Sequence, residues 1–244
     1  MLYQAKTLNG FKLKGLDGEI GQVKNFFFDD KRWVVRYLIA ETGNWLLSRQ
    51  VLISPYALSK VDWDEQAIAV KLTKKQIEDS PSIDTERPVS QQFEIDYSEY
   101  YAYPYYWTGM NTWGDYPYMW GAYPYALPTP DQQKTLQSAT HKWDAHLRSA
   151  QEVRGYHVHA ADGEIGHIED FIVDDENWSI KSLIIDTVNW WPGKKVLVSP
   201  RSIEQVSWEN SIVVIQKTRE EVKNSRPFNG DVNSQESHYP SSNS

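Results

Sequence analysis

The feature that most constrains this chain is a long internal repeat. Residues 10–81 align without a gap with residues 155–226, at a constant offset of 145 positions, and 23 of the 72 aligned pairs are identical. Repeats that stack into a solenoid recur about every 20 to 50 residues, so a period this long indicates two copies of a whole domain. We therefore expect the chain to consist of one copy, a connector, a second copy and a tail.

Each copy is predicted to fold into short β-strands. The turn signal Asp17-Gly18 separates two apolar segments, and the runs VVRYLIAET and SIKSLIIDT are the strongest strand candidates. The runs VLISP and VLVSP indicate shorter strands that each end at a proline. About five or six strands in roughly 70 residues are typical of a small antiparallel barrel or sandwich. The predicted fold class is mainly β, with two small antiparallel β-barrels.

A short helix is predicted at the end of each copy. Thr73 with Gln76, and Thr218 with Glu221, have capping-box spacing, in which the threonine hydroxyl accepts a hydrogen bond from the third helical amide. A domain of about 70 residues has a small core, which large aromatic side chains help to fill. Four tryptophans at matching positions are therefore expected to lie in the cores and not at a ligand: Trp33, Trp63, Trp178 and Trp208.

The segment between the copies is rich in aromatic residues. Residues 93–127 hold 10 of the 15 tyrosines and three tryptophans, without a helical or strand period, and the interspersed prolines and glycines argue against long regular elements. Three interpretations stay open: a flexible linker whose rings dock loosely on the barrels, an adhesive surface for self-association or a protein partner, and a cage for a sugar or a cation. The candidate interaction surface consists of Tyr100, Tyr101, Tyr103, Tyr105, Tyr106, Trp107, Trp113, Tyr116, Tyr118, Trp120, Tyr123 and Tyr125.

A helix is predicted to follow this segment, because Thr129-Pro130-Asp131 is typical of a helix start. One face of that helix would carry the apolar side chains of Leu136, Ala139, Trp143 and Leu147 and pack on one barrel or bridge the two. The polar end of the chain is expected to be disordered. The predicted boundaries are domain 1 at 1–82, the aromatic connector at 83–128, the connector helix at 129–150, domain 2 at 151–228 and the tail at 229–244.

Taken together, the repeated motifs resemble a known family. The pattern DGEIG, then F, DD, W, L, T.NW and VL.SP, occurs twice in the same order and closely resembles the PRC-barrel family. That family includes the cytoplasmic domain of the photosynthetic reaction-centre H subunit and a domain of a ribosome-maturation factor, and the tandem form is similar to a bacterial subgroup. The resemblance implies two small β-barrels that act in protein interaction and assembly, without catalytic residues.

Candidate chemical groups are few. The repeated acids Asp17, Glu19, Asp29 and Asp30, with Asp162, Glu164, Asp174 and Asp175, are expected to serve turn geometry and not acid–base catalysis. His157, His159 and His167 could together hold zinc or nickel, which would make the protein a metal or small-ligand sensor. The first copy argues against this alternative, because it has Lys12, Lys14 and Gln22 at those positions. We expect no enzyme activity and no cofactor.

Charge and hydropathy narrow the class of partner. The net charge is −8 and the basic residues are scattered, which argues against binding to nucleic acid. No apolar run approaches the roughly 18 to 20 residues of a membrane-spanning helix, and the start of the chain lacks signal-peptide character, so we expect a cytoplasmic protein without membrane insertion. The resulting prediction is a non-catalytic interaction or assembly module with a protein partner or self-association. A role with RNA or the ribosome, by analogy of fold alone, is a further alternative.

Overall fold

The computed structural model describes residues 1–81, 89, 91–103, 147–188, 191, 193–207, 209–230 and 232. The chain divides into two compact units. One spans residues 10–148 and contains the first copy, and the other combines residues 1–9 with residues 149–244 and contains the second copy. We call them the repeat-1 unit and the repeat-2 unit.

Fourteen strands among the described residues form two seven-stranded sheets, which confirms the mainly β fold. They are β1 (Leu2–Gln4), β2 (Lys12–Gly15), β3 (Gly18–Asp29), β4 (Val34–Thr42), β5 (Gln50–Ile53), β6 (Leu58–Asp62), β7 (Ala67–Val70), β8 (Leu147–Ser149), β9 (His157–Ala160), β10 (Gly163–Asp174), β11 (Ile180–Asp186), β12 (Lys195–Val198), β13 (Ile203–Ser207) and β14 (Ile212–Ile215).

Both sheets have the same topology. The strand order is β5-β4-β3-β2-β7-β6 in the repeat-1 unit and β12-β11-β10-β9-β14-β13 in the repeat-2 unit. Hairpin neighbours pair antiparallel, as expected. One pair in each sheet is parallel, β2 with β7 and β9 with β14, a departure from the antiparallel expectation. Matching topology at matching positions is the structural counterpart of the repeat in the sequence.

The seventh strand of each sheet comes from the segment before the other copy. Strand β1 pairs with β10, with Leu2 opposite Asp174, and strand β8 pairs with β3. The reason lies in the length of β3 and β10, which have 12 residues each. Only the first part of β3, from Gly18 to Gln22, pairs with β2, so the backbone groups of its later part require another strand. This arrangement differs from the predicted boundaries, which placed residues 1–9 in domain 1.

Four α-helices lie among the described residues: α1 (Lys74–Glu78), α2 (Gln91–Tyr101), α3 (Ala150–Val153) and α4 (Arg219–Lys223). Short 3-10 helices span Ala5–Leu8, Asn44–Leu46, Pro55–Ala57 and Pro200–Ser202. Complete capping boxes at Thr73 and Thr218 confirm the predicted helix starts. The Asp17 carboxylate accepts a hydrogen bond from the Lys74 amide at 2.9 Å, and Asp162 accepts one from the Arg219 amide at 2.8 Å. These two turn acids therefore cap a helix, where an acid is favoured.

Two of the four tryptophans that were predicted to lie in the cores, Trp33 and Trp178, are buried. Trp33 stacks on Phe28 with ring centroids 5.3 Å apart, and Trp178 is buried in the repeat-2 unit. Trp63 is half-buried and meets Phe11 edge to face. Trp208 lies outside the described residues.

The second glycine of the repeated DGEIG motif is required by a close approach. A Cβ atom on Gly21 would lie 2.0 Å from the Glu41 carbonyl oxygen, and one on Gly166 would lie 1.9 Å from that of Asp186. Both residues also have φ in the positive region, at +157° and +146°. The motif is thus explained by strand packing at this bend and not by ligand binding.

The predicted connector contains packed structure, which corrects the expectation that it lacks regular elements. Helix α2 occupies Gln91–Tyr101. The sequence feature that predicts this helix is the spacing of Phe93, Tyr97 and Tyr101, which are four residues apart and therefore lie along one helix face. Aromatic and turn-forming residues further along the segment obscured this local pattern.

Two other boundary predictions need correction. Leu147 was expected on the last turn of a helix, but residues Leu147–Ser149 form strand β8 because β3 offers them a pairing edge. The rest of the predicted helix, with Leu136, Ala139 and Trp143, lies outside the described residues. In the predicted tail, Val232 is buried, and residues 233–244 lie outside the described residues. No helix in the described part of the chain is long and apolar enough to cross a membrane.

Candidate interaction site

The two units differ most in what covers one face of their sheets. We call this the outer face and define it by Phe27, Tyr37, Ile39 and Leu52 in the repeat-1 unit. The corresponding positions in the repeat-2 unit are Ile172, Ser182, Ile184 and Leu197. Tyr37 and Ile39 alternate along β4 with Leu38, which belongs to the opposite face, and all of them are buried. Because both faces of β4 are buried, something must cover the outer face.

In the repeat-1 unit the cover is helix α2 with the residues beside it. Tyr97 is buried and lies at the centre of an aromatic cluster, with its ring centroid 5.3 Å from that of Tyr37 and 4.8 Å from that of Tyr101. Phe93, Tyr101 and Tyr103 pack against the same cluster. Aromatic side chains supply the large apolar area that this face buries.

Hydrogen bonds fix the register of α2 on the outer face. The Tyr37 hydroxyl donates to the buried Glu94 carboxylate at 2.9 Å. The Tyr97 hydroxyl donates to the Leu52 carbonyl at 3.2 Å and accepts from the Ser54 amide at 2.9 Å. Glu94 and Tyr97 are three residues apart on the helix, so both reach the sheet from one side.

Burial changes the acidity of these tyrosines. Desolvation raises the pKa of Tyr37 and of Tyr97 well above the ordinary tyrosine range, and raises the pKa of Tyr101 as well. It also raises the pKa of Tyr103 to about 12. The neutral phenol is therefore the form that the folded unit stabilises.

The repeat-1 unit is accordingly expected to lose stability in alkali. Unfolded tyrosines ionise near pH 10, so the stabilisation is complete below about pH 10 and falls as the pH rises toward the higher pKa values of the folded state. The expected loss of stability is checked by measuring tyrosinate absorbance and circular dichroism together, from pH 9 upward in steps of roughly one pH unit. Ionisation should coincide with loss of structure. Tyrosines that all ionise near pH 10 in a still-folded protein would contradict the buried arrangement of α2.

In the repeat-2 unit a shorter segment covers part of the outer face. Pro227 forms a bridge with Val196, and the Phe228 amide donates to the Lys195 carbonyl at 2.8 Å. Phe228 and Val232 then pack on the apolar part of the face. This segment takes the place of a helix, and Leu2 packs in the same cluster. The four outer-face positions of this unit are all buried.

A cavity of about 430 Å³ lies beside that segment. Its walls are formed by Lys181, Ser182, Leu197, Ser199, Lys217, Ser225 and Arg226. Three of these side chains are cationic and none is acidic. Asp174 is near, with a carboxylate oxygen 3.7 Å from the Lys181 ammonium. A cavity with basic and hydroxyl walls favours an acidic ligand.

Comparison of the copies shows how the cavity arises. Ser182 replaces Tyr37, so a phenol ring is lost from the wall. Lys217 replaces Leu72, and Arg226 replaces Pro81, which adds two positive charges. None of these residues was singled out from the sequence. The signal that could have found them is the change from apolar to cationic or small residues between otherwise similar copies.

The candidate aromatic surface from the sequence is only partly described. Tyr101 and Tyr103 belong to the packed cluster on the repeat-1 unit, and Tyr100 is 40% exposed. The hydroxyl of Tyr100 donates to the Gln76 carbonyl at 2.8 Å. The remaining members lie outside the described residues: Tyr105, Tyr106, Trp107, Trp113, Tyr116, Tyr118, Trp120, Tyr123 and Tyr125.

The alternative metal site of His157, His159 and His167 is not the group of ligand atoms that converges among the described residues. His157 lies opposite His167 on paired strands, but its ring nitrogen contacts the Glu164 carboxylate at 2.8 Å. The group whose ligand atoms converge consists of His167, Glu169 and Asp186, without His157 or His159.

That converging group already has cationic neighbours. One Glu169 carboxylate oxygen lies 3.0 Å from the Lys6 ammonium and 2.8 Å from that of Lys195. Hydrogen bonds with Lys195 and Lys6 lower the pKa of Glu169. A metal ion would have to displace two ammonium groups, so we propose no metal function.

The repeated acids at the turns have structural partners. Asp29 accepts hydrogen bonds from the backbone amides of Lys31 and Arg32, at 2.9 and 3.0 Å. Asp174 accepts one from the Glu176 amide at 3.0 Å. Such contacts are those of side chains that close a turn.

Comparison with known proteins supports the family resemblance for the second copy. A family model of the PRC-barrel domain matches residues 146–222. This range runs from β8 into α4 and includes most of the cavity walls. No curated protein matches the chain.

Proposed function

We propose that this chain is a non-catalytic protein-interaction module of two PRC-barrel domains, and that the repeat-2 unit holds a partner segment in its cavity. The observation that carries the proposal is the difference between the outer faces of two units with the same topology. Helix α2 covers this face in the repeat-1 unit, whereas in the repeat-2 unit Leu2, Phe228 and Val232 cover it and a cavity lies at its border, beside Ser182 and Leu197.

The cavity walls suit a protein ligand. They combine one apolar side chain, Leu197, with several hydroxyl and cationic groups. Such a mixture can bury an apolar side chain while pairing with polar groups around it. The repeat-1 unit contains an example of such polar pairing, because the Ser54 amide donates a hydrogen bond to the hydroxyl of Tyr97 on helix α2.

Two substitutions in the cavity test the proposal. Ser182→Tyr restores the larger side chain of the first copy and fills the cavity, and Lys217→Leu removes one positive charge. Either change is expected to lower the amount of specific partner retained from native lysate at least about tenfold, which corresponds to about 1.4 kcal/mol. Ser59→Tyr and Lys60→Leu, at exposed positions of β6, are the matched controls.

A third variant separates this proposal from the competing aromatic surface. Replacement of residues 104–127 by a Gly/Ser linker of equal length removes the aromatic residues beyond the packed cluster. The replacement must begin after Tyr103, because Phe93 to Tyr103 are needed by the repeat-1 unit. If capture of partners requires residues 104–127 and does not respond to the cavity substitutions, the interaction site lies in the connector.

A further inference from the structure

We infer that the partner segment held by the cavity carries a phosphate monoester, as on a phosphorylated serine or threonine, and that the cavity binds this group. The inference rests on the proposed function and names the chemistry of its partner. It does not require the buried outer face to open, because the donors for the phosphate belong to residues that are at least partly exposed: Lys181, Ser199, Lys217 and Arg226.

The accessible cations of the cavity are specific to the second copy. At the three corresponding positions the first copy has Arg36, Leu72 and Pro81. The Arg36 side chain is 0% exposed, and its guanidinium lies 2.8 Å from the Asp29 carboxylate. In the repeat-2 unit the Lys181 side chain is 20% exposed, Lys217 is half-buried and Arg226 is exposed. The same topology forms without this accessible charge in the first copy, so packing of the fold does not require it.

The acids near these cations leave a surplus of positive charge. Asp174 pairs with the wall, with its carboxylate 3.7 Å from the Lys181 ammonium. The Lys217 ammonium forms no ion pair with a described acid and lies 3.4 Å from the Ser225 hydroxyl. Glu221, an acid near Lys217, accepts hydrogen bonds from the amide and the hydroxyl of Thr218 at 2.8 and 2.9 Å. Among the described residues the wall holds three cations and no acid, which suits a ligand with about two negative charges, such as a phosphate monoester.

The donors approach the cavity from four separate segments. Lys181 lies on β11, Ser199 follows β12, Lys217 follows β14 and Arg226 follows α4. A phosphate monoester presents three strong acceptor oxygens, and hydrogen bonds from cationic donors to them are roughly twice as strong as neutral ones. A carboxylate has two oxygens and a single charge. The number of donors and cations therefore favours phosphate over an acidic side chain.

One backbone donor of the cavity has no acceptor. Among the described residues the Ser199 amide makes no hydrogen bond, and the Ser199 hydroxyl accepts one from the Arg201 amide at 3.3 Å. The corresponding amide of the first copy, that of Ser54, donates to the Tyr97 hydroxyl at 2.9 Å. The first copy thus shows that an amide at this position can take an oxygen acceptor from outside the sheet. A phosphate oxygen can fill the same role in the second copy.

The size of the cavity fits a phosphorylated side chain and not a phosphate ion alone. Its volume of about 430 Å³ lies toward the lower end of the range for small-ligand sites, about 300 to 1,000 Å³. A free phosphate ion would fill a small part of this space. The side chain that bears the phosphate and the adjoining backbone of a partner segment use the rest, and Leu197 gives them an apolar contact.

The test uses the intact chain and a fluorescein-labelled peptide with one phosphoserine between two alanines on each side. Fluorescence anisotropy is measured at moderate salt as the chain is titrated to about 1 mM. We expect saturable binding of this phosphopeptide. The same peptide with glutamate in place of phosphoserine should bind at least about tenfold more weakly, and the peptide with serine should show no measurable binding.

Substitutions in the chain locate the binding site. Lys217→Leu and Arg226→Gln are each expected to weaken binding of the phosphopeptide at least about tenfold, because each removes a cationic donor. Lys60→Leu removes an exposed charge of the repeat-1 unit and is the matched control, with an expected change below about twofold. Urea unfolding curves verify that every variant is folded. Equal losses for Lys217→Leu and Lys60→Leu would mean that net charge, and not the cavity, attracts the peptide.

Four further results would overturn the inference. Absence of binding at the highest concentration, or equal affinity for the glutamate peptide, would exclude a preference for phosphate. Displacement by inorganic phosphate at the same concentration as by unlabelled phosphopeptide would indicate a site for the free ion. Displacement by single-stranded RNA at lower concentrations than by unlabelled phosphopeptide would indicate a polyanion site.

Failure of this inference is distinguishable from failure of the proposed function. Native lysate is treated with a phosphatase before partner capture, and lysate with phosphatase inhibitors serves as the control. We expect the treatment to lower specific capture at least about tenfold. If capture survives the phosphatase but still falls with Ser182→Tyr, the partner segment has a different chemistry and the proposed function stands. If capture responds to neither, both are wrong.

Discussion

Replacing Tyr97 by alanine is expected to lower the free energy of unfolding of the repeat-1 unit by about 3 to 5 kcal/mol. The side chain is 2% exposed and contacts Tyr37, Phe93, Tyr101 and Tyr103 through its ring. Its removal leaves a cavity between α2 and the sheet that the surrounding rings fill only in part. Urea unfolding followed by circular dichroism and aromatic fluorescence measures the change.

Two further variants divide this effect into its parts. Tyr97→Phe keeps the ring but leaves the Ser54 amide and the Leu52 carbonyl without their hydroxyl partner, at an expected cost of about 1 to 3 kcal/mol. Tyr100→Ala, on the exposed side of the same helix, is the matched control and should cost below about 1 kcal/mol. Equal losses for Tyr97→Ala and Tyr100→Ala would contradict the docking of α2 on the outer face.

The second large effect is expected for Asp29→Asn, at about 3 kcal/mol. The Asp29 carboxylate lies 2.8 Å from the guanidinium of Arg36, whose side chain is 0% exposed. Neutralising the acid leaves a guanidinium in the protein interior with less compensation than before, and this penalty exceeds the loss of an ordinary surface ion pair. The same denaturation experiment measures it.

The second copy supplies the matched control for this pair. Asp174 and Lys181 occupy the same positions, but their charged atoms are 3.7 Å apart and their side chains are 16% and 20% exposed. Asp174→Asn is expected to cost at most about 1 kcal/mol, because water screens this pair and can solvate the lysine that remains. If Asp174→Asn lowers the free energy of unfolding as much as Asp29→Asn does, burial does not determine how much each ion pair contributes to stability.

Much of the fold could be predicted because its signals are local or repeated. The capping boxes at Thr73 and Thr218 depend on residues three apart, and both helices start where the spacing predicts. The strands around Asp17-Gly18 follow from alternation and turn chemistry. Repetition strengthened each of these predictions, since two independent segments had to agree.

The seventh strand of each sheet could not be predicted in this way. Nothing within Leu2–Gln4 or Leu147–Ser149 specifies its partner strand. The pairing depends on backbone groups of β3 and β10, which are far away in the sequence. Helix α2 was missed for a different reason, because its apolar spacing consists of aromatic residues in a segment whose composition is typical of a loop.

The candidate site illustrates the same limit. His157 and His159 share a strand, but ligand geometry depends on the side chains of neighbouring strands, which bring Glu169 and Asp186 toward His167. The cavity depends on residues from β11, β12 and the two ends of α4, which are distant in the sequence. Only the alignment of the two copies shows that the cavity borders the counterpart of the face that helix α2 covers in the repeat-1 unit.

The central claim is that the cavity of the repeat-2 unit binds a protein segment. The most direct measurement is the ratio of specific partner captured from native lysate by the unmodified chain and by the Ser182→Tyr chain, with unfolding curves to verify that both are folded. We expect a ratio of about ten or more, and a ratio near one for Ser59→Tyr. A ratio near one for a folded Ser182→Tyr chain would contradict the claim.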